Sequence, residues 1–575
     1  MSTKTISTNI PWMTGEELHR FQENSSNQNF RNNVLFSKDM RIGLDTDVSG
    51  YNLNSIVIGG SGSGKSFRII EPNILQANTS YVINNPSGDL YEKYGAYLRY
   101  MGYHVKQLNL NDPEHSDHYN PLAYINSDED VEALVNILMR HTNETEDDDL
   151  FWTQCESNLL CALISYLCRF GQPGGRNFST ILNLLHCMQI EDHTFGAFSS
   201  VDELFESIRR TNPDDFAVQK YNAFRLAANK TLKTVLVFAA RRLKVFNLDT
   251  VCRLTDTDGL HLDKMADEKT ALFITVPGSD GVFDFLSALL CHQIIRMNMY
   301  NGYGSCPVKS AWLVVDSDGK TVKVFRSKNK TEEKDTREKA EAWLAKARSA
   351  KVKKHSNFNV GINYTIEAED DDDGLILGFY GDRKLTEDAL EKIKSGKVIQ
   401  NNTTQCPMRI QFLLDEFSEI GYIADFAECL PKLWMYGMSA MIVTQSMEQI
   451  KYLYSHDWKK IVDGCDIFVY CGGGTTDETA LLFAKRLGLS SVCRRGYELY
   501  AQKANPILSL LYAVSATDCI VCVKGYPPYI GEKYPTRDHP LRRIVEDLDA
   551  YSYEYEKQIA KMLGVEKKGT KQRAL

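Results

Sequence analysis

Gly59-Gly60-Ser61-Gly62-Ser63-Gly64-Lys65-Ser66 decides how the rest of the chain is read. It fits G-x-x-x-x-G-K-[ST], the pattern of a phosphate-binding loop, and its surroundings suit that reading. Ser55-Ile56-Val57-Ile58 precedes it as a short apolar run of the kind that makes a buried strand, and Phe67-Arg68-Ile69-Ile70 opens a helix behind it. Glycines let successive backbone N–H groups converge on an anion, and the helix N-terminus favours negative charge there. In this arrangement Lys65 neutralises the β- and γ-phosphates of a nucleotide, and the Ser66 hydroxyl ligates Mg²⁺. The alternative is a chance Gly/Ser-rich turn, and the strand before and apolar helix after speak against it.

At 575 residues the chain exceeds a single core, so two or more domains are expected. Apolar content of 43% and charged content of 25% are globular values and exclude a disordered protein. The 14 cysteines form no His/Cys cluster at zinc spacing, which reads as reduced thiols of a cytosolic protein. A net charge of −9 argues against a generally basic nucleic-acid binder, but a basic channel in an assembled ring depends on charge distribution rather than its sum. Residues 1–21 lack the apolar centre of a signal peptide. No stretch reaches the roughly 18 uninterrupted apolar residues of a spanning helix, so the chain as given is expected to be soluble.

Taken in order, residues 1–40 are polar and Asn-rich and read as an arm rather than a core element. Residues 41–127 carry the phosphate loop, a strand at Tyr81–Asn84, a helix at Leu90–Tyr100 and a strand at His104–Asn109. That is a βαβ rhythm and hence a parallel sheet. From 128 to 240 the apolar spacing is helical: Val131–Arg140, Phe151–Phe170, Phe178–Met188, Val201–Arg209 and Phe216–Phe238. This stretch reads as an all-helical insertion, with the acidic run Glu144–Asp149 in a solvated loop. Strand and helix return in 241–307, at Thr270–Val276 and Phe283–Tyr300.

Residues 308–404 read as a second insertion of small α/β type. A hairpin is expected from Ala311–Val315 and Thr321–Phe325, helices at Thr331–Ala350 and Thr386–Ser395, and a strand at Gly374–Tyr380. Asp370–Asp373 lack the spacing of a Ca²⁺ loop and read as solvated. The α/β pattern resumes in 405–545, with strands at Met408–Leu414, Ser439–Thr444, Asp466–Cys471 and 517–523, and 546–575 is a charged tail.

Ile410-Gln411-Phe412-Leu413-Leu414-Asp415-Glu416 is the second signature, an apolar strand ending in two adjacent carboxylates. The C-terminal ends of parallel strands are where ligands sit. Asp415 holds Mg²⁺ in this reading, and Glu416 orients and deprotonates the attacking water. Such a strand end is weak alone and strong beside a phosphate loop. Gln445 ends the next strand, where an amide senses the γ-phosphate or caps the following helix. Arg486, Arg494 and Arg495 are candidates for a stabilising arginine reaching a neighbouring subunit.

These residues resemble a family, the type IV secretion coupling proteins or TraG-like ATPases of conjugation systems. Its marks are Gly59–Ser66, Tyr119-Asn120-Pro121-Leu122, Phe151-Trp152 before Leu159-Leu160, Leu413-Leu414-Asp415-Glu416-Phe417 with Ile420-Gly421, and Thr444-Gln445-Ser446. Gly525-Tyr526-Pro527-Pro528 and Lys533-Tyr534-Pro535 match its closing region. The resemblance implies an α/β fold, a RecA-like P-loop nucleotide-binding domain with an all-α domain inserted after the first βαβ unit. It implies ATP and Mg²⁺ as ligands, with Gly59, Gly60, Ser61, Gly62, Ser63, Gly64, Lys65 and Ser66 cradling the phosphates. It also implies a homohexameric ring at the cytoplasmic face of the bacterial membrane that passes a relaxase-bound single-stranded DNA to a secretion channel.

Three departures stand out. Asn85-Pro86-Ser87-Gly88-Asp89 replaces the family's Asp-Pro-Lys-Gly-Glu, which removes two charged side chains near the nucleotide. The family's N-terminal membrane helices are missing, through truncation or because the chain docks on a separate membrane subunit. Residues 308–400 match nothing in the family. Two other functions stay open, a double-stranded DNA translocase of the chromosome-partition type and a nucleotide-switched substrate receptor.

Overall fold

A computed structural model of the chain describes residues 10–142, 150–188, 199–226, 229–276, 283–301, 311–317, 321–326, 333–357, 361–367, 377–380, 383–400, 407–474, 476–487 and 506–548. At its centre is a nine-stranded sheet. Its strands are β1 (Ser55–Ile58), β2 (Ser80–Asn84), β3 (His104–Asn109), β4 (Thr270–Thr275), β5 (Ile410–Leu414), β6 (Met438–Thr444), β7 (Ile467–Tyr470), β8 (Asp518–Val523) and β9 (Tyr529–Glu532). They lie in the order β9-β8-β7-β1-β6-β5-β2-β4-β3. From β7 to β3 every pair is parallel, and β8 and β9 close one edge antiparallel.

The central strands are short and rich in Ile, Val, Leu and Phe because both faces are covered. Ile56, Ile58, Val82, Phe412 and Leu414 face one hydrophobic core, and Val57, Tyr81, Ile83 and Leu413 face the other. The first core is closed by helices of the middle of the chain, with Leu134, Leu138, Leu159, Phe178 and Leu289 inside it. The second is closed by Ile70, Ile74, Tyr94 and Tyr97 from the helices after β1 and β2. Cys519-Ile520-Val521-Cys522 has the look of a Cys-x-x-Cys pair, yet it lies inside β8. Positions three apart on a strand face opposite ways. Cys519 accordingly sits in one core and Cys522 in the other, both as free thiols.

The helices of the middle stretch are Asp128–Thr142, Leu150–Phe170, Phe178–Cys187, Ser200–Thr211, Phe216–Arg225, Asn229–Arg242 and Asp249–Asp256. The expected single helix over Phe216–Phe238 is therefore two. Val218, Tyr221, Phe224, Leu232, Val235 and Ala239 are all buried and keep one helical phase across the break, so the apolar spacing does not mark it. Helix also continues beyond residue 240. The side chain of Arg242, in the last turn of its helix, is 8% exposed. Its guanidinium forms a two-pronged pair with Glu156 (2.6 and 2.9 Å) and donates to Met139 O and Thr142 Oγ1, tying three helices together.

Residues 10–40 correct an expectation. They are part of the core rather than an arm outside it. Thr14 and Glu17 form a capping box that starts the helix Gly15–Ser25. Phe21, Val34, Phe36 and Met40 are buried in the second core, and Asn33–Leu35 pairs antiparallel with Arg41–Gly43. The polar composition reflects asparagines spent on backbone contacts: Asn33 Nδ2 donates to the carbonyls of Asn27, Asn29 and Phe30.

Between 311 and 400 lie two three-stranded antiparallel sheets. Ala311–Val315 and Thr321–Arg326 form the expected hairpin, with Lys397–Gln400 on the other side. Lys351–Asn357, Gly361–Glu367 and Leu377–Tyr380 form the second sheet, of which the sequence pattern signalled only the last strand. Helices Glu333–Ser349 and Arg383–Lys394 accompany them. Glu144–Asp149, Asp370–Asp373, Arg494, Arg495 and most of the tail lie outside the described residues. Among the described residues no helix is long and apolar enough to cross a membrane.

Candidate functional site

The site forms where β1, β6, β5 and β2 end side by side. Thr444 of β6 is in register with Ile58 of β1, and Leu414 of β5 with Asn84 of β2. The residues that follow therefore meet: Gly59 after β1, Gln445 after β6, Asp415 and Glu416 after β5. The loop after β1 is anchored from below, Gly59 N donating to Thr444 O (3.3 Å) and Gly60 N to Gly472 O (2.9 Å). Gly60 lies so close to the turn after β7 that a Cβ there would fall 1.9 Å from Gly473 O. Gly64 holds φ +82°, a left-handed value that side chains disfavour. A π-helical turn, Ser66–Ile70, then leads into the helix Glu71–Gln76.

Lys65 is buried, and its Nζ donates to Gly59 O (2.8 Å) and Gly60 O (3.1 Å). The Glu416 carboxylate lies 3.9 Å from that ammonium. The Ser66 hydroxyl donates to Asp415 Oδ2. Burial, reinforced by the neighbouring Glu416 charge, pushes Asp415 up to about 6, against the opposing pull of the Ser66 hydrogen bond and Lys65. Asn84 Nδ2 donates to Asp415 O at 2.5 Å, which fixes the end of β5 to β2.

Glu416 is not a glycine, yet it holds φ +46° and ψ +59°. Such a backbone costs on the order of 1–3 kcal/mol and persists where the surroundings impose it. Here the 3₁₀ turn Phe417–Ile420, with Phe417 and Ile420 buried, turns the chain sharply after β5. The result aims the carboxylate at two partners, since Gln445 Nε2 donates to Glu416 Oε2 at 3.1 Å. Lys65, Glu416 and Gln445 are thus one chain of polar contacts.

The segment beyond Glu416 is tied to the helices. Ser287 Oγ donates to Ile420 O (3.0 Å), a ring nitrogen of His141 lies 3.0 Å from Tyr422 O, and one of His292 lies 3.0 Å from Ala424 O. The Arg140 guanidinium stacks 3.4 Å from the Tyr422 ring centroid. Burial pulls both histidines below their ordinary values. Helix Asp128–Thr142 therefore abuts the loop that carries Glu416.

The structure brings Gly59–Ser66, Asp415, Glu416 and Gln445 together. It leaves other candidates apart. Arg486 is half-buried, stacked 3.9 Å from the Phe468 ring centroid and donating to Val462 O. Asn85 and Ser87 are engaged in a local cap: Asn85 Oδ1 accepts from Leu90 N, Asn85 Nδ2 donates to Ser87 Oγ, and Ser87 donates to Asp89. Two residues went unremarked as site components. Asn84 was findable, because it ends a strand beside β5. Lys533, whose Nζ donates to Ser63 O, carried no signal beyond its place in a family-like string.

The donors suit a nucleotide and Mg²⁺. Ser63 Oγ in the loop is buried without a partner, and Gly62 opens onto free space. Ser66 and Asp415 supply one hydroxyl and one carboxylate, and Mg²⁺ is commonly held by so few protein oxygens, completed by water and phosphate. Among the described residues no cluster of three or more His, Cys, Asp or Glu is placed to hold a metal by itself.

Residues 16–304 match the family model for type IV secretory system conjugative DNA transfer, and residues 409–504 match the model for the TraM recognition site of TraD and TraG. Comparison with the curated proteins gives no match. Among solved structures, the chain is similar to the plasmid coupling protein TrwB in complex with ADP and Mg²⁺. Identity is 14%, coverage is 92% of this chain and 95% of that one, and the TM-score is 0.51. It is similar to TrwB with the non-hydrolysable GTP analogue GDPNP (13% identity, 91% and 92% coverage, TM-score 0.50). A third is the bacterial conjugative coupling protein TrwBdeltaN70 in its trigonal form with sulphate (14%, 92% and 94%, TM-score 0.51). At these identities the likeness is one of fold, an α/β RecA-like P-loop domain with an all-α part.

Proposed function

The chain belongs to the type IV secretory system conjugative DNA transfer family, and on that premise we propose that it is an ATP-hydrolysing coupling protein. It recruits relaxase-bound DNA and drives it to the secretion channel. The observation that carries the reading is the convergence of Lys65, Ser66, Asp415, Glu416 and Gln445 at neighbouring strand ends. The TrwB structures with ADP and Mg²⁺ and with a GTP analogue support a nucleotide at this loop.

In this reading the backbone amides of residues 59–66 bind the phosphates, and Lys65 exchanges its carbonyl contacts for the β- and γ-oxygens. Ser66 and Asp415 would hold Mg²⁺, which when bound would supply charge neutralisation to the nucleotide phosphates. Glu416 accepts the proton of the attacking water, and Gln445, already bonded to that carboxylate, keeps it oriented. The contacts of Tyr422 with Arg140 and His141 give the helical part, 128–240, a route to the catalytic loop. The partners are a single-stranded DNA–relaxase complex and secretion-channel components, with a homohexamer at the cytoplasmic face of the membrane and a separate membrane subunit as a further partner. The stabilising arginine comes from the neighbouring subunit.

A second reading, a nucleotide-switched receptor, is favoured by Asn85 and Ser87, which are engaged in a helix cap and offer the nucleotide no charge. One experiment separates them: ATP turnover by wild type, Lys65→Ala and Glu416→Gln, with single-stranded DNA, duplex DNA or none, together with mass in solution. The motor requires DNA-stimulated turnover by hexamers. Lys65→Ala then loses nucleotide, and Glu416→Gln keeps it but falls about 10²–10⁴-fold in turnover. A preference for duplex DNA points to the chromosome-partition type of translocase. Turnover indifferent to DNA, with Glu416→Gln still supporting full DNA transfer, leaves the receptor.

A further inference from the structure

Lys533 is fully buried, and its ammonium donates to three backbone carbonyls: Cys471 at 2.6 Å, Ser63 at 2.7 Å and Ala516 at 2.9 Å. These use all three of its N–H bonds. Each acceptor belongs to a different piece of the site's floor. Ser63 is in the phosphate loop, Cys471 follows β7 beside the turn that packs on Gly60, and Ala516 lies in the turn before β8. Three residues on, Thr536 Oγ1 donates to Phe67 O in the π-helical turn. The segment after β9 therefore braces the loop through carbonyls that Lys65 does not use.

All three acceptors are uncharged oxygens. A buried cation is normally paired with an anion, because neutral dipoles only partly replace its hydration. Burial draws the Lys533 amine below the usual lysine value and Arg68 acts in the same direction, while Cys471, Cys519 and Asp518 oppose them. Scaffolding alone would be served by an uncharged donor. The position of this charge, one carbonyl beneath a loop that gathers phosphates, gives it a second use.

We propose that Lys533 is a second cation of the nucleotide site, a positioning residue that holds Ser63 from behind and whose charge is completed by the polyphosphate. This rests on the reading of residues 59–66 as a nucleotide site. Lys65 meets the phosphates directly, whereas Lys533 acts through the Ser63 peptide and through its field.

The test measures Mg²⁺-ATP and ADP affinity of the full chain as wild type, Lys533→Gln and Lys533→Arg, with thermal melting of each. Gln keeps two donors without the charge, and Arg keeps the charge. Lys533→Gln is expected to weaken ATP about 10- to 100-fold, the scale of one hydrogen bond to a charged group, and ADP by less. Lys533→Arg is expected to recover most of the loss. Affinities within threefold of wild type in the Gln variant overturn the inference, and so do equal losses for ATP and ADP or no recovery by Arg. Failure of both variants to fold assigns Lys533 to the scaffold and also overturns it. If wild type itself binds neither nucleotide, the reading of residues 59–66 falls and takes this inference with it. Wild-type binding with an unchanged Gln variant removes this inference alone.

Discussion

β1, β5 and β6 are buried at every position, whereas Lys397–Gln400 of the small sheet is exposed or half-buried throughout. The difference extends to direction. In the central sheet the parallel strands β1, β6, β5 and β2 all end at one edge, so the loops that follow them collect in one place. In the two small sheets neighbouring strands are antiparallel, and consecutive ends point opposite ways. A site assembled from several strand ends is therefore available to the first and not to the second. The cores are separate as well. Val314, Ala340 and Leu344 form one small cluster and Ala347, Leu390 and Ile393 another, neither merged with the two large cores.

The largest effect expected from this contrast is in stability. Phe412 in β5 is fully buried, and Phe412→Ala removes most of a phenyl ring from a covered sheet. It is expected to cost about 3–5 kcal/mol in chemical denaturation and to abolish nucleotide binding. Val314→Ala in the small sheet is expected to cost about 2 kcal/mol, read as faster proteolysis between 311 and 400, with nucleotide binding intact. Loss of nucleotide binding in Val314→Ala would join the two regions into one cooperative unit and break the comparison.

The same burial makes part of the molecule legible and hides the rest. Ser55–Ile58 and Ile410–Leu414 stand out as apolar runs because both faces of the sheet are covered, and their ends announce the phosphate loop and the acid pair. Tyr529–Glu532 did not stand out. It is an edge strand with Gly531 inside it and Pro527-Pro528 before it, a composition that reads as turn. Lys351–Asn357 carries lysines where a covered strand carries valines, so the sequence pattern does not mark it, and only its pairing with Gly361–Glu367 shows it as a strand. Within the site, Lys65, Ser66, Asp415 and Gln445 follow from motif and strand order. The Lys65–Glu416–Gln445 chain does not, because it depends on the left-handed turn at Glu416, which residue type alone would disfavour. Lys533 lies more than 460 residues from Ser63 and meets it only because β8 and β9 fold back beside β7.

A second, smaller effect sharpens the contrast from inside the site. Asp415 is a carboxylate pushed up to about 6 mainly by burial, so its ionised form is disfavoured in the folded protein. The folded state then holds its proton more tightly than the unfolded state. Stability is lost as pH rises from about 4 through 6, and the penalty is complete above that. Asp415→Asn removes it and is expected to stabilise the nucleotide-free chain by on the order of 2 kcal/mol at pH 8, with the gain vanishing near pH 3.8. The same variant is expected to weaken Mg²⁺-dependent nucleotide binding, because the ligand oxygen loses its charge. A variant equally stable at pH 8 and pH 4 relative to wild type would remove Asp415 as a site that trades stability for ligand.

The smallest effect is the one that tests the contrast most directly. Gln400 pairs with Trp312 and Lys397 with Val315, so the chain enters and leaves the small sheets on adjacent antiparallel strands. Excision of 308–404 with a short Gly/Ser bridge removes both of these strands together. What is lost at the boundary is modest. Lys323 and Glu268 form a partly exposed ion pair at 3.5 Å, of a kind worth about 0–1 kcal/mol, and Leu377–Tyr380 borders the outer side of helix Asp89–Tyr100. That helix keeps Leu90, Tyr94, Tyr97 and Leu98 in the second core whether or not the small sheets are present. ATP affinity and unstimulated turnover of the excised chain are expected within about twofold of the full chain, as for changes with no shared partners. Calorimetric titration with ATP decides it. A loss above tenfold would mean that the small sheets hold the central sheet's strand ends in place. The parallel edge at β1, β6 and β5 would then no longer account for the site by itself.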